Sequence, residues 1–162
     1  MQAVIDLTKE YGLVLEGGGA KGAYQIGAWK ALREAGVKLK GIAGTSVGAL
    51  NGALICMGDL EKAERLWENI SYSKIMSVDD GVMGEIFKHK KISRETLKEL
   101  MDYMADGGVD ISPLKQLIAE SVDEEKIRNS PIDLYVLTFN VDEFRELDID
   151  IKETEPELIK DF

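Results

Sequence analysis

Along the first third of the chain, short apolar runs twice give way to a helical pattern. Residues 12–15 read as a strand, and from about 21 to 35 apolar residues recur at helical spacing until Gly36 closes the segment as a C-cap. In this helix Ala20, Ala23, Gly27, Ala28 and Ala31 form the small-residue side expected to pack on a sheet, with Tyr24, Ile26 and Leu32 adding bulk. Gly41-Ile42-Ala43 reads as a second strand. The helix after it, from Val47 to about Met57, is expected to bury Ala49, Leu50, Ala53 and Leu54. Asp59 is placed to cap a third helix that carries Leu60, Ala63, Trp67 and Ile70 on one face. This alternation predicts an α/β layer fold with parallel strands.

From 71 to 129 the pattern becomes helical and loopy. Ser93 opens a helix with Leu97, Leu100, Met101 and Met104 on one side, and Ser112-Pro113 opens another with Leu114, Leu117 and Ile118. Stripes at this spacing are ordinary core faces. Strands resume late: residues 132–141 are rich in β-formers and 144–149 alternate apolar with charged, which predicts an antiparallel hairpin around Asp142-Glu143. The sequence thus reads as a mainly parallel sheet with a helical insertion in the middle of the chain.

The chemistry lies in two glycine-framed turns, Gly17-Gly18-Gly19-Ala20-Lys21-Gly22 and Gly44-Thr45-Ser46-Val47-Gly48. The second is the G-x-S-x-G frame of a nucleophile elbow, in which flanking glycines let the chain reverse so sharply from strand to helix that the hydroxyl is exposed. Ser46 is therefore expected in a sparsely populated backbone conformation. Backbone N–H groups of the first turn, near a helix start, would complete an acyl-transfer site if they converge about 3 Å from the Ser46 hydroxyl oxygen. A second reading stays open, because Gly17-x-Gly19-x-x-Gly22 also satisfies G-x-G-x-x-G. It is a phosphate- or nucleotide-binding α/β module that uses the Gly17 to Gly22 loop without hydrolysis. Against it, a dinucleotide fold wants a carboxylate after the second strand, where this chain has Gly44-Thr45-Ser46. A P-loop wants a Lys-Ser/Thr pair after Gly22, where Ala23-Tyr24 stands.

Together, Leu13-Val-Leu-Glu-Gly-Gly-Gly-Ala-Lys-Gly-Ala-Tyr and Gly44-Thr-Ser-Val-Gly-Ala-Leu-Asn-Gly resemble the patatin-like phospholipases, lipid acyl hydrolases of bacteria and plants. The resemblance implies a three-layer α/β sandwich and hydrolysis of a lipid ester through an acyl-serine. It makes Ser46 the nucleophile and Gly17, Gly18, Gly19, Ala20, Lys21 and Gly22 the oxyanion loop, with Gly44, Thr45, Val47 and Gly48 forming the elbow. It also implies an activating aspartate in an Asp-Gly motif that follows a late strand. Asp106-Gly107-Gly108 spells that motif but follows the 93–104 helical stripe, where glycine serves as a C-cap. The tail reads as a helix start, with Thr154 as N-cap, Pro156 in the first turn and Glu157 completing a capping box. The expectation is a single patatin-like domain over 1–162, truncated at its C-terminal end. Its aspartate would lie beyond 162, with Asp106 as the in-chain alternative, and the chain alone would show little turnover. The one histidine, His89, sits in Lys88-His89-Lys90-Lys91 and reads as a solvated loop residue, which favours a Ser-Asp dyad.

Composition narrows the partners. The 162 residues are 44% hydrophobic and 31% charged, without an apolar run of membrane-span length. The first residues lack a basic, apolar signal pattern, so the expected location is cytoplasmic. The net charge of −10 is concentrated in residues 120–162, which hold 14 acidic and 5 basic side chains. That balance speaks against nucleic acid, whereas the 88–91 cluster leaves room for peripheral contact with a membrane surface. No cofactor or metal is expected, since no His, Cys or acidic cluster has ligand spacing, and the single Cys56 reads as a buried small residue.

Overall fold

The computed structural model describes residues 5–71, 74, 110, 112–140 and 143–155. They belong to two units, Met1–Glu68 with Ser121–Phe162, and Asn69–Glu120. The first unit is built on a four-stranded sheet of order β1-β2-β3-β4. Its strands are β1 (Glu10–Leu15), β2 (Lys38–Gly44), β3 (Asp133–Asn140) and β4 (Arg145–Asp150). The β1–β2 and β2–β3 pairs are parallel, and β4 returns antiparallel to β3. The first two strands start earlier than their apolar runs, because Glu10↔Lys38 and Tyr11↔Leu39 extend the ladder while Glu10 and Lys38 keep their side chains in solvent.

The helices among the described residues are α1 (Gly22–Glu34), α2 (Val47–Met57), α3 (Leu60–Glu68), α4 (Ser112–Ser121) and α5 (Glu124–Arg128). Two successive parallel crossovers advance in the same direction, so right-handed connections put α1 and α2 on one face of the sheet. There α2 lies against β1, β2 and β3 and touches α1, α3 and α5. Between them Leu15, Ile42, Leu134, Val136, Leu54 and Ile55 form the core. The other face carries Val14, 82% exposed, and Leu137. The described residues thus form a mainly parallel α/β sheet with one helical layer, consistent with a three-layer sandwich. Among them, no helix is long and apolar enough to cross a membrane.

The face that α1 buries differs from the one its small residues suggest. Gly22, Gln25, Ile26 and Trp29 are buried, whereas Ala20, Ala23, Tyr24, Gly27 and Ala31 stand exposed. Burying the indole of Trp29 removes far more apolar area from water than any alanine does, and that sets the rotation of the helix. The end of α1 is as expected: Gly36 at φ 77 closes it, with Val37 N–H donating to the Leu32 carbonyl and Gly36 N–H to that of Arg33. Asp59 caps α3 by accepting from Lys62 N–H at 2.9 Å, and Ile70 falls past the helix end. In α2 the lone thiol, Cys56, is buried and pushed up to about 12 by desolvation, so it stays a neutral packing group.

In the second unit, α4 starts at Ser112 with Pro113 in its first turn. The 93–104 helix, the 88–91 cluster with His89, Asp106 and the residues from 156 onward lie outside the described residues. Thr154, read as an N-cap, uses its hydroxyl to donate to the Asp150 carbonyl at 2.8 Å and closes the turn after β4.

Candidate active site

The parallel pairing of β1 with β2 brings both glycine turns to the same end of the sheet. Leu15 pairs with Gly44, and Thr45 N–H donates to the Leu15 carbonyl at 3.3 Å where the two strands end. Ser46 follows at φ 53, ψ −128, a conformation that side-chain-bearing residues rarely adopt. The turn is tight enough to demand both flanking glycines. A Cβ on Gly44 would come within 2.8 Å of Ala49 N, and one on Gly48 within 2.8 Å of the Leu15 carbonyl carbon. The Ser46 side chain is exposed and makes no capping bond to α2. Its position at the start of α2 leaves the N–H of Val47 among those without an intrahelical partner.

The first turn lies directly against this serine. A Cβ built on Gly17 would stand 3.3 Å from Ser46 Cβ and 3.6 Å from the Thr45 carbonyl oxygen, so glycine lets the loop backbone approach Ser46. The loop then passes through Gly18 at φ 143 and Gly19 at φ 54 into a single 3₁₀ turn, Gly19–Lys21. Within that turn Lys21 N–H donates to the Gly18 carbonyl at 3.2 Å, and Gly22 N–H points to the carbonyls of Gly19 and Ala20. Gly22 is packed under the Trp67 ring and 2.6 Å, at its would-be Cβ, from Val47 Cγ2. The rim pair Glu16–Lys21, 4.0 Å apart and exposed on both sides, contributes little.

Beneath the loop runs a chain of uncharged polar side chains. Gln25 Nε2 donates to the Glu16 carbonyl at 2.7 Å. Asn51 Nδ2 donates to the Gly22 carbonyl at 2.9 Å and to Gln25 Oε1 at 2.8 Å, and Trp67 Nε1 donates to Asn51 Oδ1 at 2.8 Å. Asn51 is fully buried and Gln25 nearly so. Sequence reasoning passed over both amides and read Trp67 as a core stripe residue. A signal was present: Asn51 is the one polar side chain of α2, and a buried amide requires partners.

The family model described as patatin-like phospholipase matches residues 13–159. Over 46 residues, 28% of this chain, there is 59% identity to a lysophospholipase of Aspergillus terreus. Over 45 residues there is 58% identity to a neuropathy target esterase of Drosophila persimilis. The matched segment is 3% of the length of each of these relatives. Among solved structures, VipD from Legionella pneumophila shares the fold at a TM-score of 0.55 and 19% identity, over 93% of this chain and 40% of that one.

Proposed function

This chain belongs to the patatin-like phospholipase family, and on that premise we propose that it is a serine-dependent lipid acyl hydrolase. Ser46 Oγ forms a bond to the carbonyl carbon of a lipid ester while an aspartate takes its proton. The tetrahedral intermediate then expels the alcohol portion, which regains a proton, and water later cleaves the acyl-serine to release the fatty acid. The N–H groups of Gly18, Gly19 and Ala20, together with that of Val47, receive the oxyanion. Lys21 and Gly22, whose N–H groups are engaged inside the 3₁₀ turn, shape the loop. The observation that carries this reading is the contact of Gly17 with a Ser46 held at positive φ.

A lipid ester presented in a bilayer requires peripheral contact at the catalytic end of the sheet. Tyr24, 81% exposed in the first turn of α1, supplies an aromatic suited to a membrane–water interface there. Release of nitrophenol from a short-chain nitrophenyl ester tests the reaction, in the chain and in its Ser46→Ala and Asp106→Ala variants. The expected result is a stoichiometric release that Ser46→Ala abolishes. Turnover that also disappears in Asp106→Ala makes Asp106 the base, and release unaffected by Ser46→Ala contradicts the proposal.

A further inference from the structure

The polar chain beneath the glycine loop bonds to both of the loop's ends and to little else. Gln25 holds the Glu16 carbonyl, the last one before Gly17, and Asn51 holds the Gly22 carbonyl, the first one after Lys21. The intervening residues carry two glycines at positive φ, and at Gly19 a Cβ would meet nothing within 4 Å. Left to itself, such a segment has wide conformational freedom. Asn51 lies on α2, the helix that Ser46 opens, and is fixed from its far side by Trp67 Nε1. The two amides thereby refer the loop to the same rigid element that carries the nucleophile.

We propose that Gln25 and Asn51, locked by Trp67, are positioning residues that hold the Gly17 to Lys21 backbone in the register its N–H groups need to face an oxyanion on Ser46. Neither amide touches the reacting atoms. Their action runs through the two carbonyls they bind, and burial makes each bond geometrically exacting, because an amide there has no water to turn to. Uncharged amides suit this place, since a buried charge beside the oxyanion loop would bias the field the loop must present. The inference rests on the serine-hydrolase reading.

The test is the rate at which a fluorophosphonate labels Ser46, because phosphonylation places negative charge on an oxygen that the loop must stabilise. The comparison covers the chain, Gln25→Met and Trp67→Phe, each with its thermal melt and with hydrogen exchange at the Gly18 to Lys21 amides. Gln25→Met removes the bond to the Glu16 carbonyl at nearly constant volume and should slow labelling about tenfold or more, by displacing the donors. Gln25→Glu keeps the acceptor for Asn51 but not the donor to Glu16, and should not restore the rate. Trp67→Phe removes the N–H to Asn51 and shortens the ring over Gly22 while leaving the Gln25 bond to the Glu16 carbonyl, so a smaller slowing is expected, with faster exchange in the loop and a cooperative melt. Labelling of folded Gln25→Met and Trp67→Phe at the parent rate, with loop exchange unchanged, overturns the positioning role and leaves Ser46 as nucleophile. Failure of the parent chain to label at Ser46 overturns the hydrolase reading and this inference with it. If Gln25→Met does not fold, the Trp67→Phe rate and exchange decide alone.

Discussion

The two ends of the sheet are both polar, and they are built in opposite ways. Where β1 and β2 end, two buried amides, Gln25 and Asn51, bond to the backbone carbonyls at the two ends of one loop, and the Trp67 indole N–H donates to Asn51 Oδ1. Where β3 begins, they are charged and partly exposed. Lys152 Nζ reaches Asp133 Oδ1 at 2.9 Å and the Ser130 carbonyl at 2.6 Å, Lys40 stands 3.7 Å from Asp133, and Arg128 reaches the carbonyls of Lys152 and Thr154. The charged end is a staple that ties the chain after β4 back to the start of β3. Water and salt compete with it, and its partners have latitude in geometry. The buried, uncharged end leaves its partners little latitude, which is what the proposed oxyanion loop needs and a staple does not.

Substitutions at the two ends should therefore differ in kind. The largest effect is expected from Gly48→Ala, whose methyl would collide with the Leu15 backbone. A loss of about 3 kcal/mol or more in urea unfolding, or failure to fold, is the expected outcome. Ser46→Gly should act in the other direction: relief of the positive-φ strain raises stability by about 1 kcal/mol while abolishing labelling. A Ser46→Gly variant no more stable than Ser46→Ala would mean that the elbow stores no strain. The smallest effect belongs to the staple. The hydrogen bond from Lys152 holds the Asp133 carboxyl below its ordinary value, so the stabilisation is present above the usual carboxylate range and disappears as pH falls through the depressed value. The difference in melting temperature between the chain and Lys152→Met should accordingly be largest at pH 7, begin to shrink as pH falls past about 4, the ordinary carboxylate value, and below the depressed value retain only the part owed to the Ser130 carbonyl.

The strand directions and both glycine turns were legible in the sequence because their causes are local. Apolar runs, Gly36, Asp59 and the Gly44–Gly48 frame each act within a few residues. The rotation of α1 was not, since it depends on where the bulk of Trp29 finds a core, and the small residues Ala23, Gly27 and Ala31 point away from it. The amide chain was hidden for a related reason. Gln25, Asn51 and Trp67 lie on three different helices, and each looks ordinary until α1, α2 and α3 are brought together. Asn51, alone among apolar neighbours in α2, was the one local sign that a buried polar contact had to exist.

The central claim is that Ser46 is a nucleophile set against an oxyanion loop, and mass spectrometry of the chain after exposure to a fluorophosphonate tests it most directly. The expected result is a single phosphonyl adduct on the peptide carrying Ser46, absent in Ser46→Ala and unaffected by saturating phosphate or nucleotide. No adduct, together with a melting temperature raised by phosphate or nucleotide, would contradict it and make the Gly17 to Gly22 loop an anion-binding turn.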